Sequence, residues 1–102
     1  MATVEITLAD PWEFLNAVGS QWRGEIVSGG RYGEPLVVLL LKPLTYRGTE
    51  FQRIAGTHRY RRPDDLAPGR RLPFNFSTQP DKGDAVRFIA TVELLEAEKL
   101  KP

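Results

Sequence analysis

Apolar and polar residues alternate with a period of two along several short segments of this chain. In the first segment Val4, Ile6 and Leu8 alternate with polar neighbours. This spacing is typical of a half-buried strand, because successive side chains of a strand point to opposite faces. Similar patterns predict further strands at residues 22–28, 36–41, 49–61, 72–76 and 86–94. Segments rich in glycine, proline and aspartate separate them, which predicts hairpin-length connections.

One short helix is predicted near the N-terminus, over residues 11–18. Asp10 and Glu13 have the spacing of a capping box, in which each side chain satisfies a free amide of the first turn. Pro11 suits the first helical position, and Gly19 supplies a stop. We expect a helix of this length to need an apolar surface to dock on, because isolated two-turn helices are not stable in water.

Two tryptophans, Trp12 and Trp22, flank this helix. Burial of a tryptophan removes a large area from water, so both are predicted to dock the helix on the sheet. An exposed tryptophan would instead indicate a recognition surface.

The segment Leu36–Leu41 is apolar at every position. A strand of this kind is predicted to be covered on both faces, with the helix on one of them. Pro43 is predicted to end the strand or to lie at a sheet edge, because proline cannot donate a backbone hydrogen bond.

The longest predicted strand is Thr49–Arg61. Strict alternation places Ile54 and His58 on its inner face and three arginines on its outer face: Arg53, Arg59 and Arg61. Phe51 then lies on the arginine side. A bulge near Ala55–Gly56 is predicted to correct this.

Together these elements predict a mainly β fold. We expect about six antiparallel strands that form a small barrel or a strongly twisted sheet, with the helix at one end or over one face. A parallel βαβ arrangement is not expected, because only one helix is available to make crossovers. Residues 1–102 are predicted to be one domain with a polar tail from about residue 96.

Composition limits the class of protein. The 102 residues are 41% hydrophobic and carry a formal net charge of +1, which is typical of a folded chain. There is no cysteine, so disulfides and thiolate metal sites are excluded. The first residues lack a basic segment followed by an apolar one, and the apolar runs are too short for a membrane span. The predicted location is therefore the cytoplasm, with no membrane partner.

Basic residues concentrate in the middle of the chain. The segment Lys42–Arg71 holds eight cations and three anions, a net charge of +5. Its arginines and a glycine-rich loop at 28–35 supply the groups predicted to bind a partner, namely Arg53, Arg59, Arg61, Arg62, Arg31 and Tyr32. That loop does not match a phosphate-binding loop, because it runs into Pro35 and a strand instead of a helix.

Three hypotheses about function follow. The first is a non-enzymatic interaction module that binds a protein partner or associates with itself through the arginine-bearing strand. The second is a barrel that binds single-stranded nucleic acid through the same arginines. The third is a small enzyme using His58, which no catalytic, cofactor or metal-ligand spacing supports. A fourth interpretation is a solvated face whose arginines pair with Glu5, Glu25 or Glu93.

Overall fold

Six antiparallel strands form a closed barrel in the computed structural model, which describes residues 2–29, 34–58 and 66–95, excluding the side chain of His58. The strands are β1 (Thr3–Asp10), β2 (Gln21–Ser28), β3 (Leu36–Tyr46), β4 (Thr49–His58), β5 (Arg71–Thr78) and β6 (Arg87–Leu94). A helix, α1 (Trp12–Val18), connects β1 to β2. Each strand pairs with the next, and β6 pairs with β1. The predicted β-rich fold with six antiparallel strands and one N-terminal helix is confirmed.

The strands bury alternate side chains in the barrel interior. In β1 and β6 the inward positions are those predicted from the alternation, and Val4, Ile6 and Val92 are fully buried. An eight-stranded barrel is just wide enough for side chains to fill it, so a six-stranded one is narrower still. The described core side chains therefore occupy the interior, and a ligand would have to bind on the outside.

The helix closes one end of the barrel. This end, called the helix end, is formed by the C-terminal ends of β1, β3 and β5 and the N-terminal ends of β2, β4 and β6. Phe14 of α1 is fully buried there. Its ring lies 4.9 to 6.0 Å from the rings of Tyr46, Phe88, Trp22 and Phe51. The helix is thus held by Phe14 among four aromatic rings, and Leu15 and Val18 of α1 also pack against the core.

Two predictions about the helix are wrong. Asp10 does not cap it, because Asp10 is the last residue of β1 and its backbone pairs with Ile89 of β6. The N-cap is Pro11, and no side chain caps the first turn. Trp12 does not dock the helix, since 68% of its surface is exposed. At about 100° per residue Trp12 lies about 200° around the helix from Phe14, away from the buried side.

Trp22 does dock the helix, as predicted. Its side chain is 8% exposed, and its indole nitrogen donates a hydrogen bond of 3.0 Å to the carbonyl of Val18 in the last turn. This bond satisfies the polar atom of a buried ring and one of the free carbonyls at the helix C-terminus.

The strands β3 and β4 have an irregular register near the helix end. Leu39 pairs with Arg53, but the next pair is Leu44 with Phe51, so β3 has more residues between the two pairs than β4. This break allows both Phe51 and Ile54 to face the interior. The side-chain amide of Gln52 donates a hydrogen bond of 2.9 Å to the carbonyl of Leu40 within the break.

The break corrects two predictions. The predicted bulge near Ala55–Gly56 is wrong, because both residues pair regularly with β3 and with β5. Pro43 neither ends β3 nor lies at an edge, since β3 continues to Tyr46. It lies where the register is broken, so its missing amide proton removes no bond from the ladder with β4.

The predicted outer face of β4 is otherwise correct as far as the structure describes it. Arg53 and Thr57 are exposed, and Ile54 is buried. In the described part of the chain no helix has the length and apolar character needed to cross a membrane.

Candidate functional site

The structure describes one of the six residues predicted to bind a partner. Arg53 lies on the outer face of β4 and is exposed. The other five lie outside the described residues: Arg31, Tyr32, Arg59, Arg61 and Arg62. The site is therefore built from Arg53 and from what surrounds it.

The outer side of β3, next to Arg53, is apolar. Leu36, Val38 and Leu40 face the interior and are buried. The alternate residues face outward: Val37 and Leu39 are half-buried, and Leu41 is 58% exposed. The prediction that this strand is covered on both faces is wrong, because α1 lies at the helix end, where Phe14 contacts Tyr46 at the end of β3.

The neighbouring strands extend this apolar strip. Leu39 pairs with Glu25 of β2 on one side and with Arg53 of β4 on the other. Val37 pairs with Ala55 of β4. We call this outer surface the β3 face, and its residues are Glu25, Val27, Val37, Leu39, Leu41, Arg53 and Ala55.

Val27 reaches this surface through an irregularity in β2. The pairing of β2 with β3 shifts between Ile26 and Ser28, so Val27 is the extra residue. A bulge of this kind redirects side chains and bends the strand. Val27 is 39% exposed.

The two charged residues of the β3 face form no ion pair with another described residue. The acids predicted to neutralise the arginine strand pair elsewhere: Glu5 lies 3.9 Å from Arg23, and Glu93 lies 3.3 Å from Arg71. Neither contacts Arg53, so for this arginine the predicted pairing is wrong. Glu25 and Arg53 lie on opposite sides of Leu39, and neither is neutralised by a described residue.

A second surface is an open groove of about 770 Å³ across the outside of β4, β5 and β6. Its lining includes Ala55, Ser77 and Ile89, with Arg87 and Asp10 as its charged residues. One cation and one anion give the groove no net positive charge. Single-stranded nucleic acids bind grooves that are positively charged and that carry aromatic stacking surfaces, so the groove does not add to the nucleic-acid hypothesis, which stays a prediction.

The exposed Trp12 follows Pro11, which lines the end of this groove. Nothing else among the described contacts fixes what its ring meets. An exposed tryptophan indicates a recognition surface.

His58 does not gain a catalytic setting from the described residues. Its backbone pairs with Phe74 at the end of β4. Its side chain lies outside what the structure describes, as do Asp64 and Asp65. Within residues 2–29, 34–58 and 66–95 no cluster of three or more metal-ligating side chains occurs. The hypothesis of an enzyme stays a prediction.

Sequence reasoning missed the apolar part of the β3 face. The signal was present, because an uninterrupted apolar run requires cover on its outer side as well as its inner side. The sequence pattern predicts the helix as that cover, but the helix lies elsewhere. With α1 at the helix end, Val37 and Leu39 on the outer side are half-buried and Leu41 is exposed.

These features define a closed six-stranded antiparallel barrel with a filled interior and a mixed apolar and charged strip on its outside. Comparisons with protein-family models, with curated proteins and with solved structures find no match for this chain. Function must therefore be argued from the surface itself.

Proposed function

We propose that this chain is a non-enzymatic protein-binding module that holds its partner on the β3 face. The observation that carries the proposal is the apolar strip formed by Val37, Leu39 and Leu41 on the outside of a barrel. Outward positions of a strand that faces water are ordinarily polar. A contiguous apolar surface rimmed by charge is typical of protein interfaces.

The surroundings of this strip support a protein as the ligand. The filled interior leaves no internal site for a small molecule. The charges around the strip are of both signs: Glu25, Arg53, Glu50 and Asp81 lie near Leu39, and Arg23 and Lys42 lie near Leu41. The strip is therefore not surrounded by basic residues alone. Arginine at the edge of an apolar surface is favoured in protein interfaces, where its planar fork can bind a carboxylate.

Site-specific photo-crosslinking tests this proposal. A benzophenone amino acid placed at Leu39 is expected to give a discrete protein adduct in cells that express the full chain. The same probe at Ile89 is the matched control, because Ile89 is also half-buried and faces outward but lies on β6, on the other side of the barrel. The adduct is identified by mass spectrometry.

Charge variants show whether an adduct reflects binding. Arg53→Glu should weaken the adduct from position 39, because the flanking charge is reversed, whereas Arg87→Glu should leave it unchanged. Absence of any adduct from position 39 would contradict the proposal. An adduct from position 89 alone would move the site to the groove.

A further inference from the structure

We propose that the partner held by the β3 face is a second copy of this chain, in a symmetric dimer whose two-fold axis runs parallel to β3. The inference rests on the proposed function and specifies its partner. Its basis is a row of three side chains on three adjacent strands, in which an apolar residue lies between an acid and a base.

The order is fixed by strand pairing. Glu25 of β2, Leu39 of β3 and Arg53 of β4 form one row across the sheet. Adjacent strands lie about 4.8 Å apart, so the acid and the base are separated by about 10 Å at their backbones. The next row along β3 has Val37 in the centre and Ala55 on the β4 side.

This row is complementary to itself under one symmetry operation. A two-fold axis parallel to β3 and lying between two copies exchanges the β2 side with the β4 side. Glu25 of each copy then faces Arg53 of the second copy, and Leu39 faces Leu39 along the axis. Such a contact is isologous, the commonest form in homodimers. It gives two ion pairs on either side of an apolar seam.

The charges also select against the other face-to-face arrangement. A two-fold axis in the same plane but perpendicular to β3 places β2 of one copy against β2 of the second copy, and β4 against β4. Glu25 would then face Glu25, and Arg53 would face Arg53. Like charges placed against each other in an interface are strongly unfavourable. The positions of Glu25 and Arg53 thus favour the axis parallel to β3.

The size of the contact sets its strength. The β3 face comprises seven residues, fewer than the roughly 20 to 30 residues that each partner contributes to a standard stable interface. We therefore expect a weak dimer, with a dissociation constant of about 0.1 mM, equivalent to roughly 5 to 6 kcal/mol of binding free energy.

Analytical ultracentrifugation of charge variants tests the dimer. The wild-type chain should change from monomer to dimer between about 10 µM and 1 mM, the range that brackets this dissociation constant. Glu25→Arg and Arg53→Glu should each weaken dimerisation at least tenfold, because each places like charges together. A mixture of the two variants should dimerise, since every facing pair in the mixed dimer is again opposite in charge.

Arg87→Glu is the matched control, because it makes the same charge change on β6, opposite β3 in the barrel. It should dimerise as the wild type does. Thermal melts by circular dichroism verify that each variant is folded. The inference would be overturned if the wild-type chain stayed monomeric at about 1 mM. It would also be overturned if both charge-reversal variants dimerised as strongly as the wild type.

Failure of this inference and failure of the proposed function have different signatures. An adduct from position 39 to a different protein, with a monomeric wild-type chain, contradicts the dimer and leaves the binding module in place. No adduct from position 39, either in cells or with the purified chain at about 1 mM, a concentration well above the expected dissociation constant, contradicts both.

Discussion

Replacing Phe14 with alanine is expected to lower the free energy of unfolding by about 3 to 5 kcal/mol. Phe14 is fully buried at the helix end, with four aromatic rings around it. Its removal takes away the transfer free energy of the ring and leaves a cavity that four bulky neighbours cannot fill. Chemical denaturation followed by circular dichroism measures the change as a lower midpoint.

Trp12→Ala is the matched control for this prediction. It truncates a larger aromatic residue in the same helix, but one that is 68% exposed. We expect a change within about 0.5 kcal/mol, as for most surface substitutions. If the two substitutions cost the same, the orientation of α1 described above would be wrong.

The second large effect is expected at Gly56 of β4. A Cβ atom at this position would lie 2.2 Å from the backbone oxygen of Asn75 and 2.8 Å from the Cα of Phe76, both on β5. Backbone atoms held in the β4–β5 ladder cannot move aside as a flexible side chain could. Gly56→Ala should therefore destabilise the barrel by about 3 kcal/mol or more, at the upper end of overpacking effects.

Gly48→Ala separates this steric effect from the general effect of replacing glycine. Gly48 lies in the β3–β4 turn at φ +80°, and a Cβ there would meet nothing within 4 Å. Gly48→Ala should therefore lower the free energy of unfolding only by the cost of backbone strain, about 1 to 2 kcal/mol. Equal denaturation midpoints for the two variants would contradict the close approach of β4 and β5 at Gly56.

Much of the fold follows from local pattern. The alternation at Val4, Ile6 and Leu8, and again in β6, predicts both the strands and their inward faces, because a barrel with a filled interior requires a period of two. The predicted hairpin-length connection between β3 and β4 is a short turn containing Gly48, which adopts the positive φ that such turns favour.

Errors arose where tertiary contacts override local signals. Asp10 has the chemistry of a helix cap, but pairing with Ile89 keeps its backbone in β1. The interior position of Phe51 depends on a register break between two strands, which no pattern within β4 alone can reveal. Trp12 and Phe14 are both apolar, and their roles depend on how the helix is rotated against the barrel.

The candidate site was predictable in part. Arg53 was correctly placed on the outer face of β4 from alternation. Its relation to Glu25 was not predictable, because that relation requires the register of three strands across Leu39. The apolar strip of β3 was visible in the sequence, but its exposure became evident only once the helix was located at the end of the barrel.

A dilution series followed by ¹H–¹⁵N NMR tests the central claim, that the β3 face is the surface through which this chain binds a second copy of itself. Between about 1 mM and 10 µM, a range set by the expected affinity, amide shifts should change around Glu25, Leu39 and Arg53. Those of Arg87 and Ile89 on β6 should stay constant. A spectrum independent of concentration, or shifts that change at β6 and not at β3, would contradict the claim.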